Sequence, residues 1–109
     1  MPLTIEHIEK EMAAATLSPR QLSDFRIYLA ALASSKTGLL QDILSEKPER
    51  WLAIREHKKS DRAADREWEA TNLGIAEMKL RMLLKRIDTL NSALSAKLRV
   101  MELEAKMIV

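Results

Sequence analysis

The chain has no cysteine, two glycines, three prolines and an aromatic content of 4%, and each scarcity removes a class of function. Without cysteine there is no disulfide, no thiolate nucleophile and no cysteine-ligated zinc. A dinucleotide-binding glycine loop, a Walker A phosphate cradle and a nucleophile elbow all need more glycine in one place than this chain has. Long apolar runs are missing as well. The longest, Ile27 to Ala33, falls far short of the ~20 residues that span a bilayer. Glu6, Glu9 and Glu11 stand where a secretory signal would carry a basic flank and an apolar stretch. The expectation is a cytoplasmic protein with no membrane partner.

What is present points to helices. Hydrophobic residues make up 47% and charged residues 31% of 109 residues, the balance of a helix-rich domain and not of a disordered tail. Leucine, isoleucine, alanine and methionine must supply the apolar volume, which suits helix interfaces better than a β-sandwich. The length allows one domain, 1–109. A net charge of +2 with pI near 9.0 is too mild to imply a nucleic-acid partner, so the distribution of charge matters more than its total.

Capping signals divide the chain. Thr4 reads as an N-cap with Leu3 and Ile8 as its hydrophobic staple, which predicts a short helix from Ile5 to Ala15. Ser18-Pro19-Arg20-Gln21 supplies an N-cap serine, a proline at the first helical position and a capping-box glutamine, with Leu17 and Leu22 as a second staple. A second helix therefore starts at Pro19. Its apolar stripe runs Leu22, Phe25, Leu29, Leu32, Leu39 and Ile43, interrupted by Lys36, and Gly38 is a place for a bend. Ser45-Glu46-Lys47-Pro48 is expected to end it, because proline disfavours helical geometry in the residue before it. These two helices fill 1–47. The rest, 48–109, is expected to be one long helix, with Thr71 to Gly74 as the place for an interruption.

The clearest pattern lies in the last third. Leu73, Leu80, Ile87, Leu94, Met101 and Ile108 recur every seven residues, with Ala76, Leu83 and Leu90 at the intermediate positions. Beyond Leu90 the intermediate positions become Lys97 and Glu104, and the apolar partners shift to Leu98 and Ala105. An intramolecular three- or four-helix bundle uses the same spacing. Length favours self-association, since this stretch runs about 55 Å at the helical rise. The fold class is therefore all-α, a helical hairpin or bundle with a long C-terminal heptad helix that assembles as an oligomeric coiled coil. Met78, Met82, Met101 and Met107 are expected as adaptable core fillers.

Little chemistry is visible. His7 and His57 have no ligand or catalytic partner at a useful helical spacing. Asp61, Asp65 and Glu69 align at four-residue intervals, an arrangement that more often faces water than a cation. No metal, cofactor or catalytic residue is assigned, and an enzyme is not expected. The most informative polar stretch is Trp51 to Trp68. On a continuous helix Arg55, Lys58, Lys59, Arg62 and Arg66 fall within an arc of about 100°, with Trp51 beside them. Such a stripe can hold phosphates while the indole stacks a base, although Glu56, Asp61, Asp65, Glu67 and Glu69 cancel its net charge. Trp68 falls on another side and is expected to pack against a helix.

The run Leu17-Ser18-Pro19-Arg20-Gln21-Leu22 with Tyr28-Leu29-Ala30, then Lys59-Ser60-Asp61, Arg66, Trp68-Glu69-Ala70-Thr71 and Gly74, resembles short helical proteins of temperate phages and prophages. The resemblance covers most of the chain. It implies a phage accessory role in the host-cell cytoplasm, in a setting where recombination and single-strand-annealing genes are common neighbours, and it implies no catalytic residue. The leading expectation is a non-enzymatic helical interaction protein that forms a homo-oligomer through the heptad seam and meets a protein partner around Trp51 to Trp68. The alternative is a single-stranded nucleic-acid-binding protein that uses the basic stripe.

Overall fold

The computed structural model describes residues 3–14 and 17–108. It is all-α: α1 Ile5–Ala14, α2 Pro19–Arg55, α3 Asp61–Ala70 and α4 Asn72–Ile108, with no strand among the described residues. Ala15, the expected last residue of the first helix, lies outside them. No helix among them is long and apolar enough to cross a membrane. The chain forms two compact units, one from the residues up to Ala33 together with those from Lys85 onward, the other from Ser34 to Leu84.

In the first of these units both predicted caps form. The Thr4 hydroxyl accepts the His7 amide at 3.1 Å. Gln21 N–H donates to Ser18 Oγ at 3.2 Å, and Ser18 N–H donates to Gln21 Oε1 at 2.9 Å, so each residue caps the other. The staple residues Ile8, Leu17 and Leu22 are buried. With Ile5, Phe25, Leu29, Ile87, Leu90 and Leu94 they form this unit's apolar core, and the exposed His7 ring meets Phe25 edge-on. Two cations, Arg86 and Lys97, tie α4 to α1. Arg86 grips the Glu9 carboxylate with two nitrogens and lies 3.6 Å from Glu6. Those hydrogen bonds and the guanidinium charge hold Glu9 below the ordinary carboxylate range. Lys97, the cation that interrupts the heptad pattern, donates to the Met12 carbonyl at 3.3 Å. It thereby supplies a positive charge to the end of α1, whose own last turn has none.

Helix α2 differs from its expected course at both Leu39 and Pro48. Lys36 does not interrupt the inner stripe but belongs to it. Leu32, Lys36, Leu40, Ile43, Lys47, Trp51 and Ile54 turn inward at steps of three or four, which leaves Leu39 48% exposed and Leu40 buried. The helix runs through Pro48 to Arg55. An internal proline costs about 3 kcal/mol. Here its ring faces solvent, while the inward residues on either side of it keep the helix in contact with the Ser34–Leu84 unit.

The expected continuous helix from Pro48 is replaced by three segments. After Arg55 the backbone tightens, with His57 N–H donating to the Ile54 carbonyl and Lys58 N–H to the Arg55 carbonyl, both at 3.1 Å. Ser60 then caps α3, its Oγ accepting the Ala63 amide at 3.2 Å. The second break falls at Thr71, which serves two helices at once. Its amide and hydroxyl both donate to the Trp68 carbonyl at the end of α3, at 3.0 and 2.6 Å, and its hydroxyl oxygen accepts the Gly74 amide in the first turn of α4 at 3.0 Å.

Gly74 is not the break itself. It is buried inside α4, where a Cβ would stand 1.8 Å from the Trp68 carbonyl oxygen and 3.0 Å from Glu69 Cα. The turn at Thr71 brings the two backbones that close. Gly38 has nothing within 4 Å of the same position. The two glycines should therefore respond oppositely to alanine. In thermal or urea unfolding followed by circular dichroism, Gly38→Ala is expected to raise stability by up to about 1 kcal/mol. Gly74→Ala is expected to lower it by about 1–3 kcal/mol, despite alanine's better helix propensity.

Candidate functional site

Within the Ser34–Leu84 unit, Trp68 and Glu77 are both buried, at 3% and 8% exposure. Trp68 Nε1 donates to Glu77 Oε1 at 2.9 Å. Lys47 Nζ lies 3.0 Å from the same oxygen and 5.5 Å from the centre of the indole ring. Arg81 Nε donates to the other oxygen, Oε2, at 2.9 Å. The elements set these positions directly. Lys47 is on the inner stripe of α2, Trp68 is in the last turn of α3, and Glu77 and Arg81 are one turn apart on α4. Burial pushes the Glu77 carboxyl up, but the hydrogen bonds from Trp68, Arg81 and Lys47, with the charge on Lys47, more than offset it and hold it at about 2. A carboxylate held that low, with both oxygens engaged, does not take up a proton near neutrality. Its work here is to join three helices.

A cavity of about 480 Å³ opens beside this cluster, with Trp68, Lys47, Arg81, Met78 and Met82 in its walls. The methionines are not the core fillers the composition suggests. Met78 is 54%, Met82 64% and Met107 85% exposed, and only Met101 of the four is half-buried. Ile75, Met78 and Met82 fall within about 60° of one another around the helix and make an exposed apolar row along α4.

The predicted heptad residues occupy the opposite side of α4. Ile87, Leu90 and Leu94 are buried by the chain's own helices, and Leu73, Ala76, Leu80, Leu83 and Met101 are half-buried. The side chain of Ile108 lies outside the described residues. The three buried residues leave no apolar surface for a second chain to cover.

The basic stripe loses its geometry. Its arc required an unbroken helix from Trp51 to Trp68, whereas the turn after Arg55 separates the cations. Arg55 donates to Asp61 Oδ1 and to the Lys58 carbonyl, both at 2.7 Å, and Lys58 pairs with Glu67 at 3.0 Å. These three contacts hold the turn. Trp51 is half-buried and its Nε1 donates to Asp65 Oδ1 at 2.8 Å. Lys59, Arg62 and Arg66 remain exposed. Asp61 and Asp65 of the acidic row on α3 are thus part of the same scaffold, while Glu69 is exposed. No cluster of three metal-ligating side chains occurs among the described residues.

The site thus consists of Lys47, Trp68, Glu77 and Arg81 as a fixed floor and Ile75, Met78 and Met82 as an exposed rim. Of the seven, only Trp68, at the end of the segment expected to meet a partner, was marked by the sequence. Acid should loosen the floor. The folded-state pKa of Glu77 lies below the ordinary 4.5, so its contribution is fully present above 4.5 and is lost as pH falls towards about 2. The amount at stake is on the order of 3 kcal/mol. In urea melts between pH 7 and pH 2.5, wild type should lose stability in this window, while Glu77→Gln starts lower at pH 7 and shows a smaller decline. No protein-family model, no curated protein and no solved structure matches this chain.

Proposed function

We propose that this chain is a non-enzymatic helical interaction protein, which uses the outer side of α4 to dock other helices. The observation that carries the reading is the exposure of large apolar side chains at helical spacing on that side: Ile75, Met78 and Met82 in one segment, and Val100, Leu103 and Met107 in another. Exposed apolar residues scattered singly are ordinary, but rows of them recur at interaction surfaces. The fully satisfied Glu77 cluster fits a scaffold role better than a catalytic one.

The two rows suit different tasks. At 100° per residue Arg99 and Lys106 fall on one side of the Val100 row and Glu104 on the other, and a surface with both signs of charge can pair with a second copy of itself. Homo-oligomerisation is assigned to this segment, in place of the heptad seam that the chain's own helices cover at Ile87, Leu90 and Leu94. The likeness to phage helical proteins supports an accessory role in the host-cell cytoplasm, acting on a host or phage protein complex.

One observation favours nucleic acid as a second reading: Lys59, Arg62 and Arg66 are exposed and form no ion pair among the described residues. It has less support than protein docking, because Arg55, Lys58 and Trp51 are engaged within the chain.

Light scattering at low and high salt, with and without a single-stranded oligonucleotide, separates the readings. Wild type is expected to exceed its 12.4 kDa chain mass and to ignore the oligonucleotide. Leu103→Asp should return the mass to that of one chain with helicity unchanged. A monomer at all concentrations would refute self-association. A salt-sensitive complex with DNA that Arg62→Glu weakens would favour the nucleic-acid reading.

A further inference from the structure

We infer that the occupant of the Val100, Leu103 and Met107 row is a second copy of this chain, and that the two C-terminal helices pair parallel and in register. This inference rests on the self-association reading of the same segment and adds the number and direction of the paired helices.

The end of α4 lacks cover from its own chain. Leu94 is the last buried residue among those described, and from Arg99 to Met107 every residue except the half-buried Met101 is exposed. A helical segment of this kind gains little from propensity and is ordinarily held by packing of an apolar face. Ala96, Val100, Leu103 and Met107 supply such a face. All four are exposed, and they follow one another at steps of four, three and four, the alternation with which two helices mesh. Their mean direction lies about 140° around the helix from that of Ile87, Leu90 and Leu94, so the chain's own core leaves them free. In this register Val100 and Met107 take a positions and Ala96 and Leu103 take d positions. A β-branched residue at a with leucine at d favours two strands.

Charge sets the direction. Arg99 and Lys106 occupy g positions on one edge of the row, and Glu104 occupies the e position on the other. All three are exposed, and none forms an ion pair among the described residues. Parallel helices face g to e, which sets Arg99 of each copy against Glu104 of the other. Antiparallel helices face g to g and e to e. That arrangement would bring Arg99 against Lys106 and the two Glu104 carboxylates together, like charge against like. Glu102 stands at the c position, behind the cationic edge and away from the seam in either arrangement. Lys97, at the e position one heptad earlier, is taken up by the Met12 carbonyl.

The absence of cysteine permits a direct test on the full-length protein. Val100→Cys and Met107→Cys, prepared separately and verified as helical by circular dichroism, are equilibrated in glutathione redox buffer where light scattering shows more than one chain. Each variant alone is expected to form a disulfide-linked pair, and Glu102→Cys is expected to form none. In the cysteine-free chain, Arg99→Glu should weaken pairing roughly two- to tenfold, and adding Glu104→Arg should restore it. Disulfides that form only in a mixture of Val100→Cys with Met107→Cys, together with tighter pairing on Arg99→Glu, would show antiparallel helices. The inference would then be overturned while self-association through the row stands. A multimer that yields no disulfide in any variant and ignores Leu103→Asp would overturn both the inference and the assignment of the row. A monomer at every concentration would end self-association altogether.

Discussion

A buried carboxylate in the Ser34–Leu84 unit must find donors or leave the fold, and Glu77 finds three from three helices. A charge out of water costs several kcal/mol unless its lone pairs are engaged. Lys47 from α2, the Trp68 indole from α3 and Arg81 from α4 itself provide that engagement. The consequence is geometric. Trp68 has to end α3 with its indole facing α4, which places the last carbonyls of α3 against the start of α4 and leaves room there for glycine alone. Thr71 makes the turn possible by capping both helices within one residue. The break, the glycine and the polar cluster are three parts of one constraint.

The same constraint decides which side of α4 remains exposed. With Glu77 and Gly74 turned inward, Leu73, Leu80 and Leu84 follow at helical spacing, and Ile75, Met78 and Met82 are left outward. In the other unit the residues of α4 buried against α1 and the start of α2 are Ile87, Leu90 and Leu94, with Lys97 reaching the end of α1. At Ile87, Leu90 and Leu94 the heptad pattern is therefore a record of intramolecular packing, and the outward apolar residues have no such explanation in the fold.

Local signals were legible and tertiary ones were not. Thr4 and the Ser18-to-Gln21 capping box predicted two helix starts that the structure shows, because a cap is written within four residues. Pro48 misled for the opposite reason. Its local cost is real, but the burial of Leu40 and the contacts of Lys47 with Glu77 and of Trp51 with Asp65 hold the helix on either side of it. The turn after Arg55 contains neither glycine nor proline, and the only cue was the polar run Glu56 to Asp61 with Ser60 as a cap. The basic stripe exists only on a helix without that turn, and its cations lie on different segments. The outward methionines were partly legible, since Met78 and Met82 already stand off the heptad positions. Glu77 carried only the signal of its four-residue spacing to Arg81, because its other two donors are contributed by Lys47 and Trp68 from other helices.

Ile87, Leu90 and Leu94 of α4 are covered by their own chain, while Met82 and Leu103 on its outer side are open. A chain without cysteine allows this to be measured by single-cysteine labelling. Ile87→Cys and Leu94→Cys report the inner side, and Met82→Cys and Leu103→Cys report the outer side. Maleimide labelling of the inner pair should be slower than that of the outer pair by roughly a hundredfold or more, and the inner protection should persist when the protein is diluted to a monomer. Inner cysteines that become as reactive as the outer ones on dilution would show that a second chain had covered them, which would contradict the account.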